Sequence, residues 1–246
     1  MRAPRNLPIM VKNDAVRHTP PTRTPEPGPE YLASTRFLDA ASEPIQRFAR
    51  ETVTGEEGEA ARAVKLFYAV RDGWRYDPYS LRLRPEEYVA SNVLAAGFGY
   101  CIPKAILLVA AARAAGIPAA IGLADVVNHL TTEKLKARMG GKTRFINHSY
   151  ASLHIAGRWL KAVPAFNIEL CRRFGVRPTE FDGRADALYQ EYDEYDRRHM
   201  EYVQDHGVWS DFPYEKVAAD FRAFYPPSTY GDDADTERFE DGVRVR

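Results

Sequence analysis

Gly97-Phe98-Gly99-Tyr100-Cys101-Ile102-Pro103-Lys104 leads directly into an apolar run, Ala105–Ala115. The glycines predict a loop that delivers Cys101 to the first turn of a buried helix, where Pro103 is tolerated because a first-turn N–H has no helical partner. The unpaired N–H groups at a helix N-terminus favour thiolate over thiol. Cys101 is therefore a candidate nucleophile. The structural alternative is a small apolar side chain packed at a helix start.

The composition excludes several classes of function. The chain has 246 residues, with 34 Lys plus Arg and 34 Asp plus Glu, so its formal net charge is zero. Basic and acidic residues alternate, and this balance indicates neither a nucleic-acid nor a membrane partner. The longest apolar run is interrupted by Arg113 and is too short to span a bilayer. The N-terminus has no apolar stretch typical of a signal peptide, so a cytoplasmic location is expected.

Two cysteines, Cys101 and Cys171, give neither a disulfide framework nor a metal-binding spacing, so no metal or other cofactor is expected. Residues 1–30 contain seven of the 17 prolines and no aromatic residue, which predicts a Pro-rich flexible arm. Residues 31–228 are patterned without a linker and are expected to form one domain. Residues 229–246 are predicted to be a charged C-terminal tail.

Hydrophobic periodicity predicts helices first and strands afterwards. Helices are expected over Leu32–Phe48, Glu56–Arg71, Ala90–Ala95 and Cys101–Gly116, and later over Thr131–Met139, Ile168–Phe174, Glu191–Gln204 and Tyr214–Tyr225. Strands are expected over Ala119–Val127, Phe145–Ile155 and Arg158–Val163, the last two joined by a turn at Ala156-Gly157. Helices followed by an antiparallel sheet define the α+β class.

Cysteine catalysis needs a base that takes the thiol proton and a third group that orients the base. His148 opens a predicted strand, whereas His129 follows one and is able to line the same cleft. The structural alternative for His129 is a polar residue at a helix entry. A metal site built from Asp125, His129 and His148 is a further alternative, although no tight ligand spacing supports it.

At this point the chain resembles the transglutaminase-like superfamily, of the bacterial cysteine protease or amidase type. The resemblance covers roughly Glu56–Phe166 and is carried by Gly99-Tyr100-Cys101, Arg113–Ala119, and His148-Ser149-Tyr150 leading to Gly157-Arg158-Trp159. It implies a papain-like core, in which a catalytic Cys at a helix N-terminus packs on an antiparallel sheet that carries His and Asp. It also implies acyl chemistry through a Cys thioester on a peptide-like substrate, and it leaves hydrolysis and acyl transfer both open.

One position departs from that family. The family's Asp lies four residues after the tryptophan, where this chain has Val163, and valine accepts no hydrogen bond. With a two-residue turn in the hairpin, Val163 and Asn167 are the diagonal neighbours of His148. Asn167 is therefore the predicted third member beside Cys101 and His148, because an amide oxygen is able to orient an imidazole. Asp182, arriving from a loop, is the alternative, and its structural interpretation is a turn residue.

Tyr100, His129 and Tyr150 are predicted to contact the substrate, which is peptide-like or another acyl compound. Two further classes of function stay open. The first is a binding or scaffold protein that keeps the fold without the chemistry, and Val163 favours it. The second is a biosynthetic acyltransferase with a narrow, apolar cleft.

Overall fold

The computed structural model describes residues 27–129, 131–189, 193, 195, 197–231 and 239. Almost all of the predicted arm, 1–30, and most of the predicted tail, 229–246, lie outside these residues. The division of the chain into arm, domain and tail therefore stays a prediction.

One helix, α4, is central and buried on all sides. The helices of the described residues are α1 Glu43–Thr52, α2 Glu59–Gly73, α3 Ala90–Ala96, α4 Cys101–Ala114, α5 Glu133–Arg138, α6 Ile168–Phe174 and α7 Tyr214–Phe224. Every residue of α4 from Ile102 to Arg113 is buried, as expected for a helix that is apolar all round. It packs against α1, α2 and α3 on one side and against the main sheet on the other. Gly116 follows the C-terminal end of α4, and its φ of 78° terminates the helix there.

The main sheet is antiparallel and has four described strands in the order β5-β4-β3-β6. They are β3 Ala119–Asn128, β4 Arg144–Ile155, β5 Arg158–Ala162 and β6 Met200–Trp209, while β1 Arg75–Tyr76 and β2 Phe98–Gly99 form a short parallel pair. Ala156 and Gly157 have φ of 48° and 79°, so they form the two-residue turn that the sequence predicts. The α+β class is confirmed.

Two predicted helices are wrong in part. The helix expected over Glu191–Gln204 is contradicted from Met200 onward, because this segment pairs with the edge of β3 as strand β6. Its aromatic residues fit either period, and the available strand edge decides between them. The first helix begins at Glu43 rather than Leu32, because side-chain hydroxyls upstream bond to the backbone and favour turns.

A buried arginine fixes α4 to the sheet. Arg113 donates to the carbonyl oxygen of Ala119 at 2.7 Å, to that of Ser210 at 2.7 Å and to that of Ala33 at 2.6 Å. The guanidinium thus joins the C-terminal end of α4 to β3 and to two distant segments.

Candidate active site

Cys101 is the first residue of α4 and is partly exposed. Burial raises the pKa of its thiol, and the backbone N–H groups of Ser149, Ile102 and Cys101 itself lower it, with a net pKa of about 11. The N–H groups at the helix N-terminus do lower the pKa of the thiol, but the loss of hydration raises it by more. The resting side chain is therefore a thiol, in contrast to the thiolate that the sequence predicts.

His148 lies on β4, where it pairs with Ala124 of β3. Its ring is held by aromatic neighbours, with centroids 5.2 Å from Tyr189 and 6.2 Å from Tyr202. The Nε2 atom is buried and has no hydrogen-bond partner among the described residues. Burial lowers the pKa of His148 to about 3, so the imidazole is neutral at physiological pH. A neutral imidazole is the form that accepts a proton.

The backbone of strand β4 contacts the nucleophile directly after His148. The N–H of Ser149, the residue directly after His148, acts on the sulfur of Cys101. Within the described chain, Nε2 of His148 is not hydrogen-bonded to that sulfur. Catalytic hydrogen bonds in ligand-free enzymes are often long and tighten when substrate binds. The described residues supply a thiol at a helix start, the backbone N–H groups around it, and a neutral imidazole on the strand whose next residue acts on the sulfur.

Asn167, the predicted third member, forms no hydrogen bond with Nε2 of His148 in the described structure. Asn167 immediately precedes α6, and its Oδ1 accepts the N–H of Tyr76 at 3.1 Å. The β4–β5 pairing ends at Ala151 and Ala162, so the strand register on which the predicted diagonal contact depends does not extend to His148. The geometry therefore gives no support to Asn167 as the orienting group. The hydrogen bond between Asn167 and Tyr76 instead joins β1 to the loop between β5 and α6.

Val163 and Asp182, the other two positions considered for the group that orients His148, both make contacts that stabilise the fold. Val163 is fully buried, and its N–H bonds to the carbonyl oxygen of Ala187. Asp182 accepts the N–H groups of Arg184 and Ala185, which matches its interpretation as a turn residue. The ring of His148 is thus positioned by aromatic packing in the described structure.

The three residues predicted to contact substrate have different surroundings. Tyr100 is buried, with its hydroxyl 2.8 Å from that of Tyr88, and it lines a cavity of about 460 Å³. Tyr150 is buried and donates to Asp205 at 2.9 Å. His129 is 3.4 Å from Glu201 at the far end of β3. These contacts do not place Tyr150 or His129 at Cys101, so all three roles stay predictions.

Lys104, which the sequence interpretation passed over, is a structural centre of the site. It lies one turn after Cys101, and its side chain is fully enclosed. Its Nζ donates to the carbonyl oxygens of Arg71, Trp74 and Ala165 at 2.8, 2.7 and 2.7 Å. Burial lowers the pKa of Lys104 to about 7, and the three carbonyls offset part of the cost of enclosing the ammonium. The signal was present in the sequence, because Lys104 interrupts an otherwise apolar helix.

The alternative metal site is not formed by the groups proposed for it. Asp125 instead accepts from Arg144 at 2.6 Å, from His206 at 2.9 Å and from the N–H of Asn147 at 3.0 Å. In the described residues, His, Cys, Asp and Glu form no group of three or more that is arranged to hold a metal ion. None of the described helices is both long enough and apolar enough to cross a membrane.

One family model is similar to part of the chain. Residues 46–164 match the sequence model of the transglutaminase-like superfamily. That segment carries α2, α4 and the β4–β5 hairpin, with both Cys101 and His148. No curated protein matches the chain.

Two solved structures are similar in fold. A candidate cysteine protease from Cytophaga hutchinsonii is 16% identical with a TM-score of 0.42, and the match covers 73% of this chain and 53% of that one. A candidate protease from Parabacteroides distasonis is 16% identical with a TM-score of 0.36, and the match covers 51% of this chain and 24% of that one. The present chain thus spans about half the length of the first structure and about a quarter of the second.

Two buried histidines make the fold sensitive to acid. Burial lowers the pKa of His148 to about 3 and that of His199 to about 4, whereas both titrate near pH 6.5 in an unfolded chain. Below pH 6.5 the unfolded state therefore binds more protons, so the free energy of unfolding decreases as the pH falls. Each histidine contributes up to about 1.4 kcal/mol per pH unit between pH 6 and pH 4.5.

We expect the urea midpoint to fall steadily between pH 6.5 and pH 4.5. His199→Phe keeps the aromatic packing on Phe166 and Tyr189 but removes one titration, so its decline is expected to be shallower. Urea titrations followed by circular dichroism at several pH values measure both slopes. Equal slopes for the two proteins would contradict a neutral, buried His199.

Proposed function

We propose that this chain is a cysteine-dependent acyl-transfer enzyme that hydrolyses a peptide-like amide or a related acyl compound. Cys101 is the nucleophile and His148 is the general base. The backbone N–H groups at the start of α4 are donors for the oxyanion that develops on the attacked carbonyl. No metal or cofactor takes part in this scheme.

The first half-reaction forms a thioester. The sulfur of Cys101 bonds to the carbonyl carbon while the thiol proton passes to His148, and the carbonyl oxygen becomes an oxyanion. When the oxyanion collapses, the bond from carbon to the leaving group breaks, and His148 returns the proton to that group. Water then attacks the thioester, again with His148 as base, and releases the acid and the free thiol. An amine in place of water gives acyl transfer.

The observation that carries the proposal is the unpaired Nε2 of His148, as judged against the described residues. A buried polar atom without a partner lowers stability by about 1–3 kcal/mol. A general base needs a ring nitrogen that is free to accept a proton. The N–H of Ser149, the residue after His148 on the same strand, acts on the sulfur of Cys101, which supports His148 as that base.

A scaffold or binding protein is the second candidate, and two observations favour it. Val163 stands where the family has its acid, and the pKa of Cys101 is about 11. The two candidates differ in whether Cys101 forms a covalent acyl intermediate. An acyltransferase would form one as well, and it would then pass the acyl group to an amine or alcohol in preference to water.

Reaction with p-nitrophenyl acetate tests the proposal. We expect a burst of p-nitrophenolate, followed by slower turnover, and we expect both to be lost in Cys101→Ala. Cys171→Ser is the matched control, because Cys171 is buried and burial raises its pKa to about 12. A release rate equal in wild type and Cys101→Ala would support the scaffold alternative. Addition of glycinamide to the burst reaction then measures how the acyl group divides between water and an amine.

A further inference from the structure

Strand β4 contains a β-bulge directly before His148. Between the pairs Ala124–His148 and Val126–Phe145, strand β3 has the single residue Asp125, whereas β4 has two residues. The regular ladder therefore holds His148 from its C-terminal side only. On its N-terminal side, the direction of its main chain depends on the conformation of the bulge, and a bulge of this kind redirects the side chains beside it.

Asn147, the bulge residue that precedes His148, has an unusual backbone conformation. Its φ is 53°, and among the described residues the only other non-glycine residue with positive φ is Ala156 in the hairpin turn. Such a conformation persists only where the surrounding structure holds it. Asn147 is also buried, so its N–H needs a partner within the protein in place of the ladder bond that the bulge removes.

The carboxylate of Asp125 supplies that partner. Its Oδ1 accepts the N–H of Asn147 at 3.0 Å and lies 2.9 Å from Nε2 of His206, and its Oδ2 accepts from Arg144 at 2.6 Å. His206 is itself the extra residue of a bulge that β6 forms opposite β3. Asp125 thus joins irregular backbone on both of its neighbouring strands, and these contacts fix the orientation of its carboxylate.

Asp125 remains ionised although it is buried. Burial raises the pKa of a carboxyl group, but the hydrogen bonds from His206, Arg144 and the N–H of Asn147 outweigh this, so the pKa of Asp125 is lower than usual. A hydrogen bond to an ionised acceptor is stronger than one between neutral groups. The N–H of Asn147 is therefore firmly held.

We propose that Asp125 is a positioning residue for His148: its carboxylate holds the N–H of Asn147 and so fixes the main chain from which the imidazole projects. The inference rests on the proposed function, in which His148 is the base. Asp125 takes no proton in the reaction and acts through the backbone. A carboxylate on β3 thus orients the base of a chain that has Val163 at the position of the family's acid.

Two substitutions of Asp125 test this role. Asp125→Leu fills a similar volume but removes the acceptor, whereas Asp125→Asn keeps an oxygen that accepts the N–H of Asn147. We expect Asp125→Leu to slow the burst with p-nitrophenyl acetate at least tenfold at pH 7. Its rate should rise steeply towards pH 9, because a misplaced imidazole leaves only the thiolate of Cys101 to react. Asp125→Asn should keep a rate that is nearly independent of pH.

Two substitutions of Asn147 provide a second test, which does not depend on whether Asp125→Leu folds. Asn147→Gly and Asn147→Val both lose the side-chain bonds to Asp220 and Lys216, so these losses cancel in the comparison. Glycine adopts a positive φ without strain, but a β-branched residue does not. We expect the valine variant to show the slow burst with a steep pH dependence, and the glycine variant to keep the flat profile. Circular dichroism establishes that each variant is folded.

The remaining outcomes overturn the inference in distinguishable ways. Rates for Asp125→Leu and Asn147→Val within threefold of wild type would remove the positioning role and leave the proposed function intact. A loss by the same factor at every pH would assign Asp125 a structural role. Equal profiles for Asp125→Leu and Asp125→Asn would show that the hydrogen bond to the bulge is not what matters. A wild-type protein without a burst would overturn the proposed function together with the inference.

Discussion

Replacing His148 with alanine is expected to slow the acylation of Cys101 by about 10²- to 10⁴-fold at neutral pH, the usual contribution of a general base. The reason is the protonation state of the pair. The pKa of Cys101 is about 11 and that of His148 is about 3, so the thiol is protonated and the imidazole is neutral over a wide pH range. Without the imidazole, only the small fraction of thiolate reacts.

The pH dependence distinguishes a general base from a preformed ion pair. The burst rate with p-nitrophenyl acetate should be nearly constant from pH 5 to pH 9 in the wild type, because neither group titrates there. In His148→Ala the rate should follow the thiolate fraction and rise about tenfold per pH unit over the same range. A wild-type rate that rises through pH 6 to 7 would instead indicate an imidazole with an ordinary pKa.

His154→Ala is the control for the His148 substitution. His154 lies on the same strand but packs on Trp159 near the hairpin turn, with ring centroids 5.3 Å apart. We expect its burst rate to match that of the wild type at every pH. Similar profiles for His148→Ala and His154→Ala would remove His148 from the mechanism.

Lys104→Met is expected to destabilise the protein by about 3–5 kcal/mol. Methionine fills a similar volume, but it leaves three buried carbonyl oxygens without the donor they have in the wild type. Two of these carbonyls, on Arg71 and Trp74, close the end of α2, and the third, on Ala165, belongs to the loop after β5. The loss should therefore also weaken the attachment of that loop to α4.

Urea unfolding followed by circular dichroism measures the effect of Lys104→Met. Lys65→Met is the matched control, because Lys65 is a half-exposed lysine on α2 that forms an ion pair with Glu56. Exposed ion pairs contribute about 0–1 kcal/mol, so the control should remain close to wild type. A loss below about 1 kcal/mol in Lys104→Met would show that water replaces the missing donor.

Local signals in the sequence were sufficient for the central helix and the hairpin. Glycines and a first-turn proline predicted that α4 begins at Cys101, and Gly116 predicted its end. Ala156-Gly157 predicted the hairpin register, which the pairing of Ile155 with Arg158 confirms. These features depend on backbone conformations that few residue types adopt, so they can be read one residue at a time.

Long-range contacts cannot be predicted from such local signals. Strand β6 forms because β3 has an edge to pair with, and its sequence alone indicated a helix. Tyr202 therefore could not be placed near His148 in advance. The pKa of Cys101 has the same origin, because the helix N-terminus is visible in the sequence but the enclosure of the sulfur is not.

The central claim is that Cys101 carries the acyl group. The most direct test is peptide mass spectrometry of the wild-type protein, quenched with acid during the burst with p-nitrophenyl acetate. We expect an acetyl group on the peptide that contains Cys101 and none on the peptide that contains Cys171. Acetylation confined to lysines or to Cys171, with Cys101 unmodified, would contradict it.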